Sequence, residues 1–292
     1  MKTAIVRAYA KVNLTLDVLG KRPDGFHSIE SVMQSISLYD TLTLHVGGEP
    51  DIRVTCDMTG IPTGEANLAC KAASLFFETF GISEGLDIRI EKCIPPEAGL
   101  GGGSSNAAAV LRGLNHLFNK PVDQSGLRDM AVQVGSDVPF FLVGGTAFIL
   151  GRGEEVQPLS DIPTRWLVII KPPFGVSTPW AYQRLDEVRA ASSQQPVEKD
   201  DKATGQRGDG ARLHNDLEIP AMERHPEIGK IKEALLQEGA QRALMCGSGS
   251  AVFGLFESEN KARSAADRLA DQNMGELFVM KTITRDEALK ID

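Results

Sequence analysis

The sequence predicts a protein of mixed α and β structure in two domains. Segments whose apolar residues alternate, as in half-buried strands, are interspersed with segments where apolar residues recur at helical spacing. The composition changes at residues 160–165, SDIPTR, just before an apolar run that suits a buried strand. Because 292 residues are enough for two cores, we expect an N-terminal domain at 1–160 and a C-terminal domain at 161–292.

Composition and charge restrict the partners of this chain. The hydrophobic share is 42%, the charged share is 24% and the net charge is −8, which is typical of a globular protein that repels polyanions. No uninterrupted apolar segment is long enough to span a bilayer, and charges interrupt the N-terminal segment before an apolar run of signal-peptide length. We expect neither nucleic acid nor a membrane as a partner, in a cytoplasmic protein or an organellar one without its transit peptide. The choice between a monomer and a homodimer stays open.

The first predicted strand covers residues 3–18 and carries a lysine on its polar face. Its apolar residues alternate with polar ones and are expected together on one face: Val12, Leu14, Leu16 and Val18. Lys11 and Asn13 then point the same way from the opposite face. Such a lysine is more often merely solvated than functional, so spacing alone assigns it no role.

A tight turn follows in the segment RPDGFH, residues 22–27. Proline, aspartate and glycine stand in turn order, which brings Phe26 and His27 onto the start of the next strand. Ordinary packing, with a hydrogen bond from the histidine, is the simplest role for these two side chains.

The rest of the N-terminal domain is predicted to alternate strands and helices, with an aspartate after the last helix. Asp137 lies in GSDVPFF, where a cap or turn role is the common one for aspartate. The apolar residues after it would exclude water and strengthen its charge. In chain order we expect strands at 40–46 and 52–56, a helix from the cap residue Asn67 to Gly81, a strand at 86–90, a helix from Ser125 to Gly135 and a strand pair near 145–158.

The most informative stretch is PPEAGLGGGSSNAAA at residues 95–109, between a strand pattern and a helical one. Its glycines permit positive backbone angles and close approach of a ligand, and Ser104 or Ser105 can cap the helix that follows. Unpaired N–H groups and the positive end of a helix dipole favour an anion such as phosphate. The stretch is neither a Walker A sequence nor a GxGxxG fingerprint, and on glycine content alone a turning surface loop explains it equally well.

The C-terminal domain is expected to hold a second glycine loop and a polar excursion. The segment 189–212 is polar and lacks periodicity, which predicts a mobile surface excursion with no catalytic role. The loop at 246–251 separates two predicted strands and, taken alone, is typical of a glycine hairpin turn. The other expected elements are a strand at 166–170, a helix around Tyr182, helices at 226–238 and 259–271, and strands at 243, 251–256 and 276–281.

The glycine stretch resembles the PxxxGLGSSSA motif of the GHMP small-molecule kinases. AKVNL at 10–14, GSDVPFF at 135–141 and CGSGSA at 246–251 are similar to further segments of that family, and the likeness covers nearly the whole chain outside 189–212. The resemblance implies a two-domain α+β fold. Its N-terminal domain would be like ribosomal protein S5 domain 2, its C-terminal domain would be ferredoxin-like, and the active site would lie between them.

The resemblance also implies an ATP-dependent kinase of a small alcohol and a role for each motif. The glycine loop would hold the phosphates of ATP and, through Ser105, Mg²⁺. Asp137 would take the proton of the substrate hydroxyl, while Lys11 would keep Asp137 ionised and neutralise charge on the transferred group. The nucleotide would contact Pro96, Glu97, Ala98, Gly99, Leu100, Gly101, Gly102, Gly103, Ser104, Ser105 and Asn106. A cytosine would be hydrogen-bonded by the histidine and stacked on aromatic rings within the implied substrate-binding set: Asn13, Phe26, His27, Tyr182, Gly247, Ser248 and Gly249.

Three alternatives stay open. A GHMP kinase of the homoserine or mevalonate type would share the fold, although the DGFH turn argues against it. A nucleotide-binding regulator would keep the glycine loop without turnover, but the presence of both Lys11 and Asp137 counts against that. An RNA-binding module, suggested only by the S5-like domain, fits badly with the negative net charge. The sequence departs from the family pattern at Glu97 and Ala98, which are often glycine in relatives.

Overall fold

Two β-sheets form the framework of the computed structural model, which describes residues 2–119, 122–191 and 213–291. The strands of these residues are β1 (Lys2–Lys21), β2 (His27–Val46), β3 (Ile52–Cys56), β4 (Leu86–Glu91), β5 (Thr146–Leu150), β6 (Glu155–Pro158), β7 (Trp166–Lys171), β8 (His214–Asn215), β9 (Arg242–Met245), β10 (Val252–Phe256) and β11 (Glu276–Lys281). The helices are α1 (Leu68–Phe80), α2 (Gly102–Leu117), α3 (Gln124–Val134), α4 (Val138–Val143), α5 (Thr178–Ala191), α6 (Glu218–Arg224), α7 (Glu227–Gln237), α8 (Glu259–Ala270) and α9 (Arg285–Leu289).

The first sheet carries the N-terminal helices. Its strand order is β3-β4-β2-β1-β8, with β5 paired to β2 and β6 paired to β5. Helix α2 packs on β1 and β2, and α1, α3 and α4 pack beside α2. Buried residues of both layers, including Leu44, Ile88 and Leu111, belong to one hydrophobic cluster. Gly113 of α2 permits this close packing, because a Cβ there would lie 2.4 Å from a side-chain carbon of Leu44.

The second sheet has the arrangement of a ferredoxin-like fold. Its order is β11-β7-β10-β9, and every pair of neighbours is antiparallel. Helices α5 to α7 come between β7 and β9 in the chain, and α8 comes between β10 and β11. This order of strands and crossover helices confirms the ferredoxin-like architecture that the sequence predicted for the C-terminal part.

The two sheets are joined by a second hydrophobic cluster and by returning chain segments. Val12 of β1 and Phe253 of β10 are both buried in this cluster. Strand β8 pairs in parallel with β1, and Ile291 forms a bridge to Val6. The connection from β6 to β7 contains the predicted boundary near residue 160, which stays a prediction. Residues of the second half of the chain therefore complete the surroundings of β1.

Strand β1 does not keep one apolar face, contrary to the prediction from its alternation. Val12 and Leu14 belong to the cluster between the two sheets, whereas Leu16 belongs to the cluster that includes helix α2. The pairing with β2 shifts by one residue between Asn13 and Thr15. A bulge of this kind changes which face the following side chains occupy, and alternation in a single sequence cannot reveal it.

The ends of the early helices confirm one prediction and correct another. The side chain of Asn67 accepts a hydrogen bond at the start of α1, and Gly81 ends the helix at a φ of 59°. Helix α3 begins one residue before Ser125 and is capped by Asp123 instead. Asp123 is the cap because its side-chain oxygen accepts a hydrogen bond from the N–H of Gly126 in the first turn.

Part of the predicted excursion at 189–212 is helical. Helix α5 extends through residues 189–191, while residues 192–212 lie outside the described part of the chain. None of the described helices is both long enough and apolar enough to cross a membrane.

Candidate active site

A cleft of about 590 Å³ lies between the first glycine loop, residues 95–106, and the second glycine loop, residues 246–251. Residues 96–104 and 247–249 line it, so the structure brings most of the predicted nucleotide and substrate residues together. Lys11, Asn13 and Asp137 line the same cleft. These residues come from four segments that the sequence singled out separately, and the structure brings them to one cleft.

Two glycines fix the shape of the first glycine loop. Gly99 and Gly101 both have a φ of 75°, a conformation that side chains disfavour. A Cβ on Gly99 would lie 1.8 Å from the carbonyl oxygen of Cys246, and a Cβ on Gly101 would lie 2.6 Å from the ring of Phe141. The loop therefore packs directly against the second glycine loop and against helix α4, with no room for side chains.

Helix α2 starts inside the first glycine loop without a side-chain cap. Gly101 is the N-cap residue, so the predicted capping by Ser104 or Ser105 is wrong. The Ser105 hydroxyl instead donates to the carbonyl oxygen of Tyr9 at 2.6 Å, and Ser105 is buried and does not line the cleft. Ser104 does line it. The uncapped first turn offers N–H groups and a positive dipole end to an anion in the cleft.

Lys11, Asn13 and Asp137 form a charged group beside this helix start. The Lys11 ammonium donates to Asn13 Oδ1 at 2.7 Å and lies 3.7 Å from Asp137 Oδ2. The Lys11 side chain is 4% exposed and that of Asp137 is 34% exposed. Asn13 is held in turn by donating to the hydroxyl of Ser31 at 2.8 Å. Lys11 is therefore a buried, oriented cation rather than the solvated lysine that its position in the strand would suggest.

Asp137 occupies the short connection between α3 and α4. It precedes the first residue of α4, yet its side chain makes no capping hydrogen bond. The carboxylate instead faces the ammonium of Lys11. The buried rings of Phe140 and Phe141 follow in the same helix and limit water on that side. The common role of an aspartate in such a turn does not apply here.

A second buried ion pair supports the first glycine loop, and the sequence reasoning missed it. Asp40 is fully buried and accepts from Lys92 Nζ at 2.6 Å and from Asn106 Nδ2 at 2.8 Å. It also accepts from the backbone N–H groups of Cys93 and Ile94, each at 2.8 Å. Four donors to one carboxylate compensate its burial. No motif in a single sequence marks this aspartate, which stands at the start of an ordinary strand pattern.

The second glycine loop is hydrogen-bonded to the first. The N–H of Ser250 donates to the Glu97 carbonyl at 3.2 Å, and that of Ala251 donates to the Ala98 carbonyl at 3.3 Å. Asn215 donates through its side-chain amide to the carbonyl groups of Met245 and Gly247 at 2.9 and 2.7 Å. These bonds explain why the segment around Asn215, which carries no reactive group in the cleft, has a structural role.

The predicted cytosine residues are only partly brought together. Tyr182 lines the cleft, whereas neither Phe26 nor His27 does. The His27 ring stacks on Tyr182, with centroids 4.9 Å apart and planes at 29°. Phe26 is 49% exposed and lies under the guanidinium of Arg152, 4.9 Å from its ring centroid. His27 thus contacts a residue that lines the cleft, Tyr182, whereas Phe26 lies at an exposed turn.

Burial sets the protonation of two side chains next to the cleft. Burial, and then the charge of Asp137, raise the pKa of the Tyr182 phenol above its ordinary value. Burial raises the pKa of Cys246 to about 12, so this thiol stays protonated. Tyr182 is therefore a neutral aromatic surface, and Cys246 is not a nucleophile.

Comparison with known families agrees with this arrangement. Residues 67–145 match the family described as GHMP kinases N terminal domain, and residues 201–274 match the family described as GHMP kinases C terminal. Two relatives and one solved structure each match more than 90% of this chain. The chain belongs to the GHMP kinases, which are ATP-dependent small-molecule kinases, as the resemblance of its motifs to that family implied.

Two relatives that match almost the whole chain share one particular name. A 4-diphosphocytidyl-2-C-methyl-D-erythritol kinase of Geobacter metallireducens is 43% identical, over 96% of this chain and 98% of its own. The kinase of that name from Pelotomaculum thermopropionicum is 45% identical, over 91% and 93%. The crystal structure of a 4-(cytidine 5'-diphospho)-2C-methyl-D-erythritol kinase matches with a TM-score of 0.74 and 34% identity, over 95% of this chain and 98% of that one.

Proposed function

We propose that this protein transfers the γ-phosphoryl group of ATP to the 2-hydroxyl of 4-diphosphocytidyl-2-C-methyl-D-erythritol. This reaction is a step of non-mevalonate isoprenoid precursor biosynthesis. The observation that carries the proposal is the position of Lys11 and Asp137 in one cleft with an uncapped helix start. Full-length relatives of that name support the choice of substrate.

The first glycine loop binds the ATP phosphates in this proposal. The N–H groups at the start of α2 and the dipole of a helix of 16 residues provide fixed positive potential for anionic oxygens. Gly99 and Gly101 let the loop keep this shape, because a Cβ on either would collide with Cys246 or with the Phe141 ring. A cradle that is already in place does not have to reorganise when charge develops during transfer.

Asp137 orients the substrate hydroxyl and takes its proton. Its carboxylate is partly exposed to the cleft, so an alcohol can reach it. Lys11, 3.7 Å away and held by Asn13, supplies positive charge where the transferred group becomes more negative. Because the lysine is almost fully buried, its charge is screened little by solvent. The pair thus combines a proton acceptor and a charge-stabilising group at one point.

The oxygen donors of the cleft fit Mg²⁺. This ion prefers oxygen ligands, keeps several waters and binds phosphate oxygens together with few protein groups. Ser104 is the serine of the loop that lines the cleft, whereas Ser105 is bonded to Tyr9. We therefore assign the loop contact to Ser104 in place of Ser105. When bound, Mg²⁺ would neutralise charge on the phosphates.

The other end of the cleft binds the cytidine group in this proposal. Tyr182 offers a neutral ring that lines the cleft, and the His27 ring stacks on that of Tyr182. Phe26 lies at the exposed turn before β2, and the resemblance to the family would make it a stacking partner of the base. Asn13 and residues 247–249 would contact the part of the substrate that carries the hydroxyl. The cytoplasmic location and the oligomeric state stay predictions from the sequence.

A substrate panel tests the proposed function. Purified protein is given Mg²⁺, ATP and, in parallel, the cytidyl substrate, homoserine, mevalonate or galactose, and the new phosphomonoester is located by phosphorus NMR. We expect turnover with the cytidyl substrate alone, at its 2-hydroxyl. Turnover on another alcohol would leave the kinase assignment standing and would contradict the proposed substrate. ATP binding by folded protein without any transfer would favour a regulator.

A further inference from the structure

The His27 imidazole is held by a carboxylate that no motif predicted. His27 Nε2 lies 3.0 and 2.9 Å from the two carboxylate oxygens of Asp186 on helix α5. The His27 side chain is 9% exposed, and its ring stacks on Tyr182. Among the described residues, the hydrogen bonds of this imidazole all go to Asp186. The ring is therefore fixed in position by one carboxylate and one aromatic neighbour.

This contact decides which ring nitrogen can accept a hydrogen bond. An ionised carboxylate only accepts, so the hydrogen bond requires that Nε2 carries the proton. A neutral imidazole has a single N–H, and Nδ1 then keeps its lone pair. The second ring nitrogen is thus an acceptor for a ligand.

His27 lies on the face of β2 that borders the cleft, although it does not itself line the cleft. Side chains alternate along β2, so His27, Ile29, Ser31 and Met33 share a face. The register shifts in this part of the hairpin insert their extra residues on β1, which leaves the alternation of β2 intact. Ile29 and Met33 line the cleft, and Ser31 holds Asn13 there. The imidazole consequently lies on the same face of β2 as two cleft-lining residues and is stacked on a third, Tyr182.

We propose that Asp186 is a positioning residue that sets base selectivity by fixing His27 in the Nε2–H tautomer. Resting on the proposed function, the inference is that Nδ1 accepts from the 4-amino group of cytosine. A uracil base would place a carbonyl oxygen against the Nδ1 lone pair and leave both acceptors unsatisfied. Asp186 acts through His27 and contacts no reacting atom.

Two measurements on the full-length protein test this inference. Nitrogen-15 NMR of labelled histidine, in alkaline buffer where imidazole is neutral, reports which His27 nitrogen is protonated; the His27→Gln variant assigns the signal. Calorimetry with cytidine diphosphate and uridine diphosphate gives the ratio of their dissociation constants. Both are repeated on Asp186→Asn, whose amide can either accept from or donate to Nε2.

The neighbouring residue provides a matched control. Glu187→Gln makes the same acid-to-amide change one position along α5, where the carboxylate pairs with Arg184 at 2.8 Å instead of His27. We expect wild type and Glu187→Gln to show the Nε2–H tautomer and the same preference for the cytidine ligand. In Asp186→Asn the tautomer becomes mixed, and the preference falls about tenfold, the value of one hydrogen bond.

The outcomes separate this inference from the proposed function. An Nδ1–H tautomer in the wild type, or an unchanged preference in a folded Asp186→Asn, overturns the inference while the kinase assignment stands. Wild-type protein that binds neither diphosphate overturns the cytidine pocket and the inference with it. A fall in preference caused only by lost folding is recognised by an altered ATP affinity, which Asp186→Asn should leave at the wild-type value.

Discussion

The two ends of the cleft are built in different ways. At the end proposed to bind phosphate, the first glycine loop packs against the second glycine loop, and the buried Asp40 accepts four hydrogen bonds. At the base end, Phe26 is half exposed, and His27 is held mainly by Asp186 and Tyr182. In the proposed function, backbone groups and buried charges carry out the chemistry, while side chains at the other end of the cleft recognise the base.

The largest effect is expected at the phosphate end, from Asp137→Asn. The amide keeps the shape of the side chain but cannot take a proton, so kcat should fall by about 10²–10⁴-fold. The KM for ATP should change little, because the phosphates are bound by the first glycine loop. Steady-state kinetics with both substrates varied measures this. Near-normal turnover would remove Asp137 as the base.

Two glycine substitutions sharpen the comparison within the first glycine loop. Gly101→Ala places a Cβ 2.6 Å from the Phe141 ring at a positive φ, and should cost about 1–3 kcal/mol of unfolding free energy and weaken ATP binding. Gly103→Ala is the control, because its nearest neighbour is a Leu68 carbon at 3.8 Å. Urea unfolding should show no loss of stability in that variant. Equal losses in both would contradict the packing argument.

His27→Ala tests the base end. It should raise the KM for the cytidyl substrate about tenfold with little change in kcat or in the KM for ATP, because one hydrogen bond and one stacked ring are lost away from the reacting atoms. An unchanged KM for the cytidyl substrate would remove His27 from the pocket.

The smallest effect on folding is expected for Phe26→Ala. The ring is half exposed and its notable contact is the Arg152 guanidinium, so the unfolding free energy should change by no more than about 0.5 kcal/mol. Any rise in the KM for the cytidyl substrate would then reflect a loss of substrate recognition and not a loss of folding stability. Thermal unfolding beside kinetics separates the two, and a large loss of stability would show that the exposed turn supports the fold.

The difference between local and long-range contacts explains which features the sequence could predict. The first glycine loop, Lys11 and Asp137 were singled out through the resemblance to the GHMP kinases, because each lies in a short, contiguous motif of that family. The ends of α1 followed from Asn67 and Gly81 for the same local reason. These features depend on backbone conformation and on neighbours within a few residues.

Other features depend on contacts that span the chain. Asp40 and Lys92 stand 52 residues apart, and His27 and Asp186 stand 159 apart, so no local pattern joins them. The assignment of Ser105 to the metal did not match the geometry, because the pitch of α2 turns Ser105 toward Tyr9. The bulge after Asn13, which redirects β1, is likewise set by pairing with β2.

A double-mutant cycle on Lys11 and Asp137 tests the central claim most directly. Lys11→Met keeps the aliphatic stem and removes the charge, and it is combined with Asp137→Asn. Because the pair acts as one unit on the transferred phosphoryl group, the double variant should lose about as much kcat as the more severe single variant. Losses that multiply would mean that the two residues act independently, and would contradict this account of the cleft.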